Sequence, residues 1–121
     1  FRSNKLRFLG WGGAEDTHRW SMGKNSTIFF KLKEDKKPLT GQIVMGCGSL
    51  GKQRIIAKLN GTKIYEGTME PSSNHLTMKF KPKLIKWGEE NKLELDLPDA
   101  HMPTNGDVRV LAISMNSFVV K

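Results

Sequence analysis

"QRIIAKLNGTKIYEG", residues 53–67, decides the fold class. Ile55, Ala57 and Leu59 fall on one face of an extended chain, and "KIYEG" continues after Asn60-Gly61. A two-residue hairpin turn needs positive φ at both central positions, which Asn and Gly accept at least cost. The stretch therefore predicts two antiparallel strands joined by a tight turn.

The same period of two recurs outward from this hairpin. Ile28, Phe30 and Leu32 share a face, as do Leu76, Met78 and Phe80, and Leu93, Leu95 and Leu97. Ile43, Met45 and Cys47 form another run, and Leu111, Ile113 and Met115 lie in a last strand within "VRVLAISMNSFVV" that bends and continues. A weaker strand is expected at "KLRFL". Polar residues fill most gaps, the pattern of sheets with one wet face. Gly46, Gly48 and Gly51 mark one looser turn and "EPSSN" another. Only "PKLIKWGEEN" reads as helical, for one turn from Pro82 to Gly88. The expected fold is all-β: an antiparallel, jelly-roll-like β-sandwich of eight or nine short strands with one helical turn. The chain's 121 residues suit one domain spanning 1–121. Because Phe1 rather than Met opens it, we expect an excised domain or a processed fragment.

Composition narrows the function classes. Net charge is +8, from 20 Lys and Arg against 12 Asp and Glu. The lysines are scattered along outward strand positions, which favours a solvated face over a nucleic-acid site, and no nucleic-acid module signature occurs. Binding to an anionic surface or nucleic acid is the distant alternative. No apolar run has the length of a membrane helix, so no membrane insertion is expected. Cys47 is the only cysteine and has no Cys or His at metal-ligand spacing, so neither metal nor cofactor is expected. His18, His75 and His101 lie far apart, no nucleophile elbow is present, and the carboxylates sit mostly in turns. The expectation is a domain without catalysis of its own. Trp87-Gly88 before acids resembles the galectin sugar-stacking site, but the upstream strand motif of that family is absent.

Three stretches in order carry a closer resemblance: "GWGGAEDTHRWSMG" (10–23), "QRIIAKLNG" (53–61) and "NKLELDLPDAHMPTNGDVRVLAISM" (91–115). Together they resemble an all-β module at the C-terminal end of bacterial envelope-glycan enzymes. These include phosphoglycerol transferases of osmoregulated periplasmic glucans and multi-domain glycosyltransferases of surface polysaccharides. Glu15, Arg19, Trp20, Ser21, Asn60, Gly61, Pro98, Asp99, Ala100, Pro103, Asp107 and Arg109 fit that pattern. Thr17-His18 replaces the usual Trp-Gly, and Ala112 replaces a glycine. The resemblance implies an accessory role beside a separate catalytic domain, with a glycan or polysaccharide as partner. The compartment follows the parent: cytoplasm for a glycosyltransferase, periplasm for a phosphoglycerol transferase.

The segment 13–21 admits two readings. In the structural one, Arg19 bridges to Asp107 and Arg109 to Glu15, with Trp20 buried beneath and its indole N–H on a carbonyl. In the binding one, Trp11, His18 and Trp87 are sugar platforms, while Glu15, Asp16, Arg19 and Asn105 bond hydroxyls, with Lys24 and Lys86 beside them for acidic glycans. Apolar residues at outward positions, Phe29, Val44 and Ile56, point to a third role: docking or oligomerisation against the catalytic domain.

Overall fold

The computed structural model describes residues 6–15, 18–34 and 39–121. Within them the strands are β1 (Leu6–Leu9), β2 (Arg19–Met22), β3 (Asn25–Lys31), β4 (Gln42–Ser49), β5 (Gln53–Leu59), β6 (Thr62–Met69), β7 (His75–Lys79), β8 (Glu90–Asp96) and β9 (Leu111–Val120). They form a five-stranded sheet, order β1-β3-β8-β5-β6, and a four-stranded sheet, order β2-β9-β4-β7. Every pairing is antiparallel. The chain changes sheet at each step except the β5–β6 hairpin, which makes a jelly-roll-like β-sandwich. The helical turn expected from Pro82 is a 3-10 turn, Pro82–Leu84.

Alternation places the apolar rows as read from the sequence. Ile28, Ile55, Ala57, Leu59, Leu93 and Leu97 are fully buried on one inner face, and Ile43, Met45, Met78, Ile113 and Met115 on the other. Cys47 joins them, and burial pushes its thiol up to about 11, so it behaves as a small apolar group. Asn60 (φ 50°) and Gly61 (φ 89°) occupy the left-handed region that the turn demands.

Three boundaries differ from the sequence reading. Residues 19–22, not read as a strand from the sequence, form edge strand β2 against β9. The last strand begins at Leu111, leaving Val108 and Val110 outside it. The bend within it is a bulge: Cys47 faces Met115 and Gly46 faces Ser117, so Asn116 is the extra residue.

A polar knot holds the hairpin tip to the 82–91 segment. Asn91 is fully buried; its Oδ1 accepts from Lys86 N–H (2.8 Å) and Asn60 Nδ2 (2.9 Å). Its Nδ2 donates to the carbonyls of Lys86 (3.0 Å) and Glu89 (3.2 Å). Asn60 Nδ2 also reaches the Leu84 carbonyl (2.8 Å), and its Oδ1 accepts from Lys92 N–H (2.9 Å). The turn residue is thus also the clamp. Truncating Asn91 strands several buried donors and acceptors, each costing about 1–3 kcal/mol when unmet. We expect Asn91→Ala to lower unfolding free energy by roughly 2–4 kcal/mol, measured by denaturant unfolding.

Candidate functional site

Register decides where the residues of the opening segment point. Arg19 pairs with Met115 and Trp20 with Ser114, so Arg19 turns inward and Trp20 outward. Arg19 enters the open edge between β1 and β2, with its guanidinium 4.0 Å from the Phe8 ring centroid. Its Nη1 donates to the Gly12 carbonyl at 2.7 Å, and desolvation lowers its pKa. Trp11 packs edge-on against the same Phe8 ring. The expected Arg19–Asp107 bridge is therefore replaced by a cation–π and carbonyl contact, because an inward residue of an edge strand faces the sandwich seam.

Asp107 pairs instead with Arg109, two residues on, through Nε (3.0 Å) and Nη2 (2.6 Å). The Arg109 pKa is raised chiefly by that hydrogen bond, with a smaller electrostatic contribution from Glu15. Glu15 lies 3.1 Å from His18 Nε2. Arg109 thus feels Glu15 electrostatically, while its hydrogen bonds to Asp107 are local. Trp20 is half-buried rather than buried, and its ring meets His18 edge-on at 6.1 Å. Asn105 Oδ1 accepts from Asp107 N–H in the exposed 97–110 loop. Asp16 lies outside the described residues.

The other proposed platforms do not share one surface. Trp11 follows β1 at the Thr27 end of β3, whereas Gly88 N–H bonds the Leu32 carbonyl beyond the far end. Five residues of extended chain separate these ends by about 17 Å. Trp11 and Trp87 are both partly buried against the core. Lys24 belongs to the Trp11 end and Lys86 to the Trp87 end. One pair was missed from the sequence: Arg54 grips Asp99 through Nη2 (2.7 Å), Nε and its backbone N–H, tying β5 to the Pro98–Ala100 turn.

The two outer faces differ in kind. On the five-stranded sheet, Arg7 pairs with Glu90, Lys92 with Glu94 and Lys63 with Glu66, and Arg7 covers Phe29 at 3.8 Å. On the four-stranded sheet, rows run Trp20–Ser114–Gly48, then Ser117–Gly46–His75, then Val119–Val44–Thr77. These rows carry no carboxylate, lysine or arginine. A Cβ on Gly46 would fall 2.3 Å from both Asn116 Oδ1 and Ser117 Oγ, so the amide and hydroxyl lie directly over that glycine. Gly48 leaves room beside Ser114. His75 Nδ1 lies 3.0 Å from Asn74 Oδ1 at the far rim. The bulge brings Asn116 and Ser117 to the same side, which strict alternation forbids. From Trp20 to His75 the face spans three strand spacings, about 14 Å. An aromatic face beside neutral amide and hydroxyl groups is suited to contact C–H surfaces and bond hydroxyls together.

No protein-family model and no curated protein sequence matches the chain. Solved structures do. An active-site mutant of a family two carbohydrate esterase from Clostridium thermocellum, in complex with celluohexase, superposes with TM-score 0.57 at 11% identity, covering 98% of this chain and 32% of that one. An acetyl xylan esterase from the rumen bacterium Butyrivibrio proteoclasticus gives TM-score 0.53 at 12% identity, covering 100% and 31%. The likeness is one of fold. This chain spans about a third of the length of each.

The edge and surface contacts make separable predictions. Arg19→Ala is expected to cost about 2–3 kcal/mol by denaturant unfolding, from its lost charged hydrogen bond and ring contact. Arg109→Ala, at the surface, should cost much less. Hydrogen bonds from Arg54 and Arg109 hold Asp99 and Asp107 at about 2, below the ordinary 3.8. Depressed carboxyl values stabilise the fold above about pH 4, and that contribution fades as pH falls toward 2. Thermal melting across this window should fall less steeply for Asp99→Asn/Asp107→Asn than for wild type.

Proposed function

We propose that this domain is a non-catalytic glycan-binding module that holds a polysaccharide near a catalytic domain of its parent protein. The observation that carries the reading is the outer face of the four-stranded sheet, uncharged across its Trp20-to-Thr77 rows in a chain with 26% charged residues. Its single ring, Trp20, stands at one rim, and Ser114, Asn116, Ser117 and His75 supply hydrogen-bonding groups across it. A neutral polyol complements such a face better than nucleic acid or anionic lipid, which call for clustered cations.

The solved structures of similar fold support the reading, since both belong to esterases described by carbohydrate substrates or complexes. The parent is then an enzyme that builds or modifies glycans, the phosphoglycerol-transferase and glycosyltransferase settings being those that the sequence resembles. The catalytic step is assigned to that parent. Here the buried Cys47 thiol is shifted away from reactivity, while His101 bonds the Asp99 carbonyl and His75 contacts Asn74.

The test is affinity electrophoresis against a panel of neutral soluble glucans, with isothermal titration of any that retard the protein. Trp20→Ala should weaken binding about tenfold or more with little change in melting, in keeping with aromatic contacts of one to a few kcal/mol. Gly48→Leu, which fills the face, should do the same. Retention of full affinity by Trp20→Ala, or binding abolished instead by Trp87→Ala, would overturn the assignment to this face.

A second reading has its own observation. Met22, Met102 and Val110 are exposed on segments that meet around Leu111, and Val108 projects nearby at 83% exposure. Such an apolar set suits docking against a neighbouring domain. Met22→Ser/Val108→Ser should then loosen association with the parent's catalytic domain while leaving glucan retardation intact.

A further inference from the structure

The edge of the sandwich opposite Arg19 is built differently. There β6 and β7 are the terminal strands of the two sheets, and between β6 and the segment following β7 runs an open groove of about 720 Å³. Lys63, Lys79, Lys81 and Lys83 line it, with Ile64 and Leu84 on its walls. Three of these lysines lie within residues 79–83, and the fold adds Lys63 from β6. Lys63 pairs with Glu66, whereas Lys79, Lys81 and Lys83 have no carboxylate in salt-bridge range among the described residues.

The backbone that carries these lysines is held in place. Gly41 backs it: its carbonyl accepts from Phe80 N–H at 2.9 Å, and a Cβ there would strike the Phe80 carbonyl oxygen at 2.2 Å. On the other side Asn60 Nδ2 grips the Leu84 carbonyl, and the 3-10 turn Pro82–Leu84 fixes the backbone of Lys83 just after its cap residue Lys81. Three unpaired ammonium groups on a fixed track raise the local concentration of anions. Lysine acts there as a point charge that accepts carboxylate or phosphate without planar geometry.

We propose that this groove binds an anionic glycan, a chain carrying carboxylate or phosphate groups at intervals, distinct in place and chemistry from the uncharged face. Phe80 lines the groove but is only 8% exposed, which leaves little ring face on which a base can stack and favours a polysaccharide over nucleic acid. The proposal stands on the groove alone and survives or fails independently of neutral-glucan binding.

Titration with a size-fractionated oligogalacturonate, across a salt series, tests it. Wild type should bind at low salt. Lys79→Ala/Lys81→Ala/Lys83→Ala should lose about tenfold or more in affinity and show a shallower dependence on log salt, by about two units of slope if all three contacts count. The same charge removed elsewhere, Lys24→Ala/Lys31→Ala/Lys52→Ala, should change affinity less than about twofold. All six lysines are exposed, so melting should confirm that both variants fold. Equal losses in the two variants, no binding to oligogalacturonate at low salt, or tighter binding to single-stranded DNA of matched charge each overturn the proposal.

Discussion

Two sheets must present apolar inner rows to one another, and that single constraint fixes the direction of every other side chain. Once Ile28, Ile55, Leu93, Ile43, Met78 and Ile113 are committed to the interior, their strand neighbours face water. The residues left outside then define two unlike surfaces. On one sheet opposite charges pair, within strands and from β1 to β8, and satisfy each other. On the other, serine, asparagine, glycine and tryptophan remain, with no local partner of opposite charge to occupy them. Burial thus sorts the surface as well as the core.

A two-layer sandwich has two seams, and each is closed by a different device. At the β1/β2 seam an inward-pointing cation, Arg19, stacks on Phe8 and bonds the Gly12 carbonyl. An inward charge on an edge strand also discourages pairing with a further strand. At the β6/β7 seam the strands diverge, and the Asn60–Asn91 knot ties down the backbone behind the gap. The first seam is sealed; the second stays open and cationic. Asn60 serves the turn and the clamp, and through its bond to the Leu84 carbonyl it steadies one wall of the groove.

Much of the architecture was legible. Period-two rows, the Asn60-Gly61 turn, the burial of Cys47 and the single turn at Pro82 all follow from local chemistry. Strand β2 was not, because "RWSM" is short and places an arginine where an apolar residue is normal. Its inward direction depends on pairing Arg19 with Met115, a partner almost a hundred residues away. The same holds for charge pairing: Asp107 found Arg109 locally, whereas the sequence invited a long-range bridge to Arg19. Glu15 acts on Arg109 as a minor electrostatic influence, and the bonding pattern around Arg109 was not readable. The uncharged face escaped notice because it is spread over four strands, and only the register and the Asn116 bulge bring Trp20, Ser114, Gly46 and Ser117 onto one side.

The net charge of +8 also acquires a location. Carboxylates on the five-stranded sheet neutralise many of the cations beside them, so the excess is felt where carboxylates are missing. Between Lys79 and Lys86 the chain places four lysines and no acid. A field set up there acts over about 8–10 Å at physiological salt, enough to draw an anionic chain to the groove but not to dominate the far half of the sheet. If the uncharged face holds a glycan as proposed, contacts of sugar rings with Trp20 and hydroxyls with Ser114 would depend little on ionic strength, because no ion is released when they form. On that reading one small domain would sense two properties of a polysaccharide separately, its charge at one edge and its neutral backbone on one face. Lys79 ends the strand that borders that face and also lines the groove, so the two proposed surfaces adjoin at that residue.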